Sequence, residues 1–187
     1  LLDMGRLQTG TIRVMTRATA LEEVVSAAMA NLGAPRDAVR IQVPETLPLV
    51  FLDGALLERA LANVVANALS VQPRGEPVRI ESALVEAAGH RDIVLRVIDH
   101  GPGIAAGRRA AAFEPFQRLG DRSSQAGVGL GLAIARGFTE AIGGRVELDD
   151  TPGGGLTVTF RLPVAIDDPA CPVDPTADAS SDREELG

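Results

Sequence analysis

The sequence has no lysine, no tryptophan and no tyrosine, and its only aromatics are five phenylalanines. All 18 basic residues are arginines. Without lysine there is no P-loop lysine, no protein-kinase strand lysine and no Schiff-base lysine. One cysteine and two histidines exclude a disulfide and the usual all-protein zinc sites. So few aromatics argue against a stacking platform for single-stranded nucleic acid. No apolar run reaches the length of a membrane span and no secretory signal opens the chain, which predicts a cytoplasmic segment without direct membrane contact.

What is present is a chain of 187 residues with 45 % apolar side chains, enough for one cored domain with an appendage. The formal charge of −7 is unevenly placed. From Asp167 to Gly187 seven acids stand against one arginine, leaving 17 of the arginines against 18 acids elsewhere. The body is therefore nearly neutral and offers no basic stripe for duplex nucleic acid. Pro, Asp, Ser and Ala dominate after Pro163, the composition of a disordered tail.

Periodicity predicts the elements. Leu1, Leu2, Met4 and Leu7 have helical spacing up to Gly10, the expected end of a helix that starts outside this sequence. Thr11 to Arg17 reads as a strand. Thr19 with Glu22 forms a capping-box pattern opening a helix that runs to Leu32 and stops at Gly33. Val39 to Val43 and Leu49 to Leu52 read as strands. Asp53 is placed to cap a helix through Leu56, Leu57, Ala60, Leu61, Val64, Val65, Ala68 and Leu69. Val78 to Val85, Asp92 to Ile98, Arg145 to Leu148 and Leu156 to Leu162 read as strands, with a helix from Leu130 to Ile142. Adjacent strands with short links predict an α+β two-layer sandwich, a mixed sheet with helices on one face.

Three features carry chemistry. Asn63 and Asn67 lie four apart, so both amides leave one helix face; alone, they fit a solvated face, or one buried and satisfied amide, better than a site. Asp99-His-Gly-Pro-Gly103 ends an apolar strand in an acid followed by glycines that let the backbone bend close to a ligand; an ordinary Asp-x-Gly turn is the competing explanation. Gly127-Val-Gly-Leu-Gly131 runs straight into a helix, where free backbone N–H groups and the helix dipole favour an anion. Leu132 stands where the dinucleotide fingerprint would need a third glycine. An amide pair suits magnesium and phosphate, a strand-end carboxylate suits the adenine amine, and a glycine-rich helix start suits phosphates. Between the last two, Ala105 to Ala126 has the size of a lid.

Together these motifs resemble the ATP-binding domain of bacterial sensor histidine kinases, a branch of the Bergerat ATPase superfamily. The helix with Asn63 and Asn67 resembles the family's N box. Asp99 to Gly103 resembles its first glycine box, Phe113-Glu-Pro-Phe116 its F box, and Gly127 to Gly131 its second glycine box. The likeness runs from Ala20 to Pro163, and Leu1 to Gly10 with Leu52 to Arg59 resembles the potassium-responsive Kdp sensor kinases. The resemblance implies residues 1–10 as the end of a dimerisation and phosphoacceptor hairpin, 11–163 as the catalytic domain and 164–187 as a tail. It implies Mg2+ and ATP as cofactor and substrate, with Asn67 as metal ligand and Asn63 facing the phosphates. Asp99, Gly101, Gly103, Phe113 and Phe116 would serve the base pocket, Gly127, Gly129, Gly131 and Leu132 the phosphates, and Arg118 would reach phosphate from the lid. The phosphoacceptor histidine is absent, so the implied reaction is transfer to a histidine on the hairpin domain and thence to a response regulator, in potassium or osmotic signalling. Where the family usually has a basic residue and then an aromatic, this chain has Ser70 and Val71, predicting a less polar ATP site. A non-catalytic signalling module is the alternative these two residues motivate. A Bergerat-type hydrolase is a third reading, disfavoured because Asn63 stands where hydrolases carry a general-base glutamate.

Overall fold

The computed structural model describes residues 13–35, 37–73, 75–87, 90–115 and 129–164. The expected helix over residues 1–10, the tail beyond Val164, and Phe116, Arg118 and Gly127 lie outside the described residues.

The described chain runs β1 (Arg17–Thr19), α1 (Leu21–Leu32), β2 (Val39–Gln42), β3 (Val50–Leu52), α2 (Gly54–Val71), β4 (Val78–Ala87), β5 (His90–Ile98), two 3-10 turns, α3 (Gly131–Ala141), β6 (Arg145–Asp150) and β7 (Leu156–Pro163). A five-stranded sheet has the order β2-β4-β5-β7-β6, and β1 pairs with β3 in a separate ribbon. Only the β2–β4 pairing in the large sheet is parallel, so the sheet is mixed, as the short links between strands predicted.

Alternation along the strands divides the sheet into two faces. Ile80, Ile93, Leu95, Val97, Val158, Phe160 and Leu162 join the core with the helices. The other face carries ion pairs, Arg145 to Asp92 at 3.2 Å and Arg161 to Glu147 at 2.8 Å. Helix α2 contributes Leu57, Leu61, Val64 and Val65 to that core, each at most 1 % exposed. Burial of such side chains stabilises by about 1.5–3 kcal/mol apiece. This anchoring fixes the helix that bears both asparagines.

Helix ends mostly follow the sequence. Asp53 caps α2, its Oδ1 accepting from the N–H groups of Ala55 and Leu56. Gly33 ends α1 at φ 59°, in the left-handed region. Two expectations are corrected. The Thr19 capping box does not form, because Ala20 is the cap residue of α1 and makes no side-chain bond. Thr19 instead belongs to β1, and its hydroxyl donates to the Arg17 carbonyl at 3.0 Å. Ribbon pairing with β3 claims the backbone that the cap would need. Of the strand expected over 11–17, residues 11 and 12 lie outside the described residues, 13–16 are irregular, and the strand that forms is Arg17–Thr19, facing β3.

Candidate nucleotide site

Two helices and one strand end converge. The face of α2 brings Asn63 and Asn67 outward, one turn apart. Asn63 is partly committed, since its Nδ2 donates to the Arg59 carbonyl at 2.8 Å. The Asn67 side chain makes no hydrogen bond among the described residues. It lies directly against the first residue of α3. A Cβ added at Gly131 would stand 2.5 Å from Asn67 Nδ2 and 3.0 Å from its Oδ1. Glycine at 131 is therefore required for the approach of these two elements, and any larger residue would displace the amide.

Helix α3 starts at Gly131 with Leu130 in the cap position and no side-chain hydrogen bond to its first turn. The start of α3, with no side-chain cap among the described residues, thus lies beside the Asn67 amide. That pairing fits an anion and the cation bound to it. Gly129, at φ 70°, turns the chain into this helix. Leu132 packs partly buried against the core, so its side chain anchors α3.

The opposite end of the site is the strand end of β5. Asp99 is 4 % exposed. Its Oδ1 accepts from Gly101 N at 2.8 Å and from Leu156 N at 3.1 Å, leaving Oδ2 without a partner among the described residues. Burial pushes its carboxyl above the ordinary carboxylate value, while the N–H bonds from Gly101 and Leu156 and the nearby His100 pull it back in part. The folded chain thus binds this proton more tightly than the unfolded chain. The stability that Asp99 contributes is complete in acid and declines as pH rises from the ordinary carboxylate range through the raised one. Asp99→Asn keeps an Oδ1 acceptor for both N–H groups and removes the charge. The variant is expected to match the parent in urea denaturation at pH 3 and to equal or exceed it at pH 7. A parent clearly more stable at pH 7 would contradict this account.

Glycines shape the floor. Gly153, Gly154 and Gly155 in the β6–β7 turn have φ of 90°, 108° and 115°. A Cβ on Gly155 would overlap the Asp99 carbonyl, and one on Gly103, at φ 68°, would stand 2.9 Å from the Gly155 carbonyl. At Gly101 a Cβ would meet Val71 Cγ2 at 2.7 Å. The first glycine box and the β6–β7 turn are thus packed backbone to backbone. Ser70 turns its hydroxyl back to the Asn67 carbonyl at 2.7 Å, and Val71 is 43 % exposed beside Gly101.

The F-box residue Phe113 ends a 3-10 turn and packs against the core, with the Arg136 guanidinium of α3 5.1 Å from its ring centroid. Arg109 ties the preceding turn to β6 through Asp150 at 2.6 Å. The structure therefore brings Asn67 and Gly131 together, with Asn63 one turn earlier on α2, Gly129 two residues before Gly131, and the Asp99 to Gly103 segment against the C-terminal end of α2 through Gly101 and Val71. Sequence reading missed the Leu156 N–H, Gln72 and Arg109. None of the three belongs to a motif, and all act through contacts distant in sequence.

No group of three or more His, Cys, Asp or Glu among the described residues could hold a metal. A cation here would have the Asn67 amide oxygen as its protein ligand and take the rest from phosphate and water. That donor set suits Mg2+, which keeps several waters and shares substrate phosphates.

The fold is that of an ATP-binding domain, and residues 52–166 match the family of histidine kinase-, DNA gyrase B- and HSP90-like ATPases. The chain belongs to that family. More particularly, it is similar to sensor histidine kinases of the Kdp type. It is 43 % identical over 183 residues to the sensor protein KdpD of Rathayibacter rathayi, covering 98 % of this chain and 20 % of that protein. With KdpD of Escherichia coli it shares 35 % identity, covering 87 % of this chain and 18 % of that protein. The chain thus spans about a fifth of the length of these relatives. Among solved structures, the mycobacterial sensor histidine kinase MprB superposes with a TM-score of 0.62 at 30 % identity, covering 80 % of this chain and 97 % of that one. Full-length ShkA in complex with AMPPNP superposes with a TM-score of 0.68 at 26 % identity, covering 86 % of this chain and 34 % of that one. Among the described residues no helix is long and apolar enough to cross a membrane.

Proposed function

We propose that this chain is the catalytic part of a cytoplasmic kinase region, holding Mg-ATP for transfer of the γ-phosphoryl group to a histidine on a separate hairpin domain. Residues 1–10 would be the end of that hairpin, 11–163 the catalytic domain and 164–187 an acidic tail. A response regulator would then take the phosphoryl group. Kdp-type relatives support potassium signalling as the setting.

The observation that carries this reading is the meeting of Asn67 with the start of α3 at Gly131, which no side chain caps among the described residues. Asn67 would hold magnesium, which supplies charge neutralisation at the phosphate oxygens. Asn63 would face the phosphates, and the N–H groups from Gly127 to Leu132 would bind them. Asp99 Oδ2 would accept from the adenine amine, with Gly101 and Gly103 shaping the base pocket. Phe113, Phe116 and Arg118 would belong to the lid side, Arg118 reaching phosphate. Catalysis in such a site is mostly positioning and electrostatics. Asn63 cannot take a proton from water, which favours transfer over hydrolysis.

The test adds this chain and γ-labelled ATP to a separately made phosphoacceptor hairpin of a Kdp-type kinase. Acid-labile, base-stable label on the hairpin is the expected result. Tight Mg-ATP binding without any label transfer would favour a different role, and steady phosphate release without hairpin would revive hydrolysis. Absence of Mg-ATP binding would favour the non-catalytic module. Ser70 is the observation behind that second reading, because its hydroxyl is spent on the Asn67 carbonyl and brings no positive charge.

A further inference from the structure

We propose that Gln72 is a positioning residue for Asp99, and that base preference at this site depends on it. The proposal rests on the reading of Asp99 as the group that meets adenine.

Gln72 is the residue on which α2 ends. Its backbone N–H still bonds the Ala68 carbonyl at 3.0 Å, so its Cα is fixed to the helix. Its side chain leaves the helix for the glycine box. Oε1 accepts from the His100 N–H at 2.9 Å, and Nε2 donates to the Pro77 carbonyl at 3.4 Å. A carbonyl only accepts, so the Pro77 contact sets which end of the amide faces His100.

The His100 N–H belongs to the peptide that joins Asp99 to His100. The carbonyl of that same peptide lies against Gly155, where no side chain fits. One peptide plane is therefore held at both edges, by Gln72 on the N–H side and by Gly155 on the carbonyl side. His100 adds a third tie, its Nδ1–H donating to the Gly154 carbonyl at 3.2 Å. The Asp99 backbone N–H meanwhile bonds the Leu156 carbonyl at 3.0 Å. With the plane fixed and Oδ1 occupied by Gly101 and Leu156, the direction of Oδ2 is determined.

Removing the Gln72 acceptor frees the N–H edge of this plane. The carboxylate would then swing about its remaining anchors, and a hydrogen bond loses its strength within a few tenths of an ångström beyond about 3.2 Å. Gln72 also caps the C-terminal end of α2, five residues after Asn67 and about 7.5 Å further along the helix axis. It thereby sets the reach from the phosphate end to the base end. The base end should respond to its loss while the magnesium end should not.

The test is calorimetric titration of the 187-residue chain with Mg-ATP, Mg-GTP and magnesium-free ATP. Gln72→Met keeps the volume and removes both polar atoms, and Gln72→Glu keeps an acceptor for His100. The methionine variant is expected to lose about 3–10-fold in ATP affinity, the scale of one hydrogen bond. GTP affinity should hardly move, so the ATP-to-GTP ratio falls by the same factor, and the gain from magnesium stays at its parent value. The glutamate variant should recover most of the ratio. If the methionine variant does not fold, Gln72→Ala decides in the same way. An unchanged ratio, or equal loss for both nucleotides, overturns the proposal. Asp99→Asn separates the two levels. If that variant collapses the ratio and the Gln72 variants do not, only the role of Gln72 fails. If Asp99→Asn leaves the ratio of the parent, the base-pocket reading fails and the Gln72 proposal with it.

Discussion

Asn67→Ala is expected to abolish magnesium-dependent ATP binding, a loss of about 100-fold or more in affinity measured by calorimetry with the metal present. The side chain is exposed and unpartnered among the described residues. It stands against Gly131, where even one methyl group would not fit without moving it. Removing the amide should therefore leave the fold intact, and thermal melting should be near that of the parent. The contrast between a preserved melt and lost affinity is the discriminating result. Unchanged affinity would remove Asn67 from the site, and with it the reason for placing magnesium there.

Gly155→Ala should have the largest effect on folding. The residue has φ 115°, a region that side-chain-bearing residues rarely adopt. Its Cβ would overlap the Asp99 carbonyl and lie 2.7 Å from the His100 Cα, both backbone atoms with nowhere to go. Strain and overlap together are expected to cost about 3–5 kcal/mol in urea denaturation. Gly153→Ala is the control, since nothing lies within 4 Å of its Cβ position and only the left-handed φ of 90° is unfavourable. It should cost about 1–2 kcal/mol. A Gly155 variant no worse than the Gly153 variant would mean that the turn and the β5 strand end are not packed as described.

Much of this was legible in the sequence because it is written in local chemistry. The apolar stripe of α2, the Asp53 cap and the Gly33 stop each need only a few neighbouring residues to be recognised. The Asn63 and Asn67 pair, the Asp99 strand end and the glycines before α3 could be picked out because each has its own chemical character. What stayed hidden depends on chain crossing. The Thr19 to Glu22 pattern is a sound capping box in isolation, yet pairing of β1 with β3 takes Thr19 into the ribbon. Gln72 is an unremarkable residue after a helix until β5 brings His100 to it from 28 positions away. Arg109 and Asp150 likewise meet only because the sheet order sets β6 within reach of the loop.

The two longer helices of the site differ in how they begin. Asp53 closes the first turn of α2 from within the chain. Helix α3 has no such residue among the described ones, and the Leu130 side chain offers no acceptor. An anion seated there would do for α3 what a side chain does for α2. Ligand occupancy and the integrity of that first turn would then be one equilibrium. Amide exchange at Leu132 and Ala133 should slow on binding nucleotide by more than exchange at the already closed start of α2, and the melting temperature should rise with nucleotide concentration. On that reading, the first turn of α3 would be completed by the nucleotide it binds.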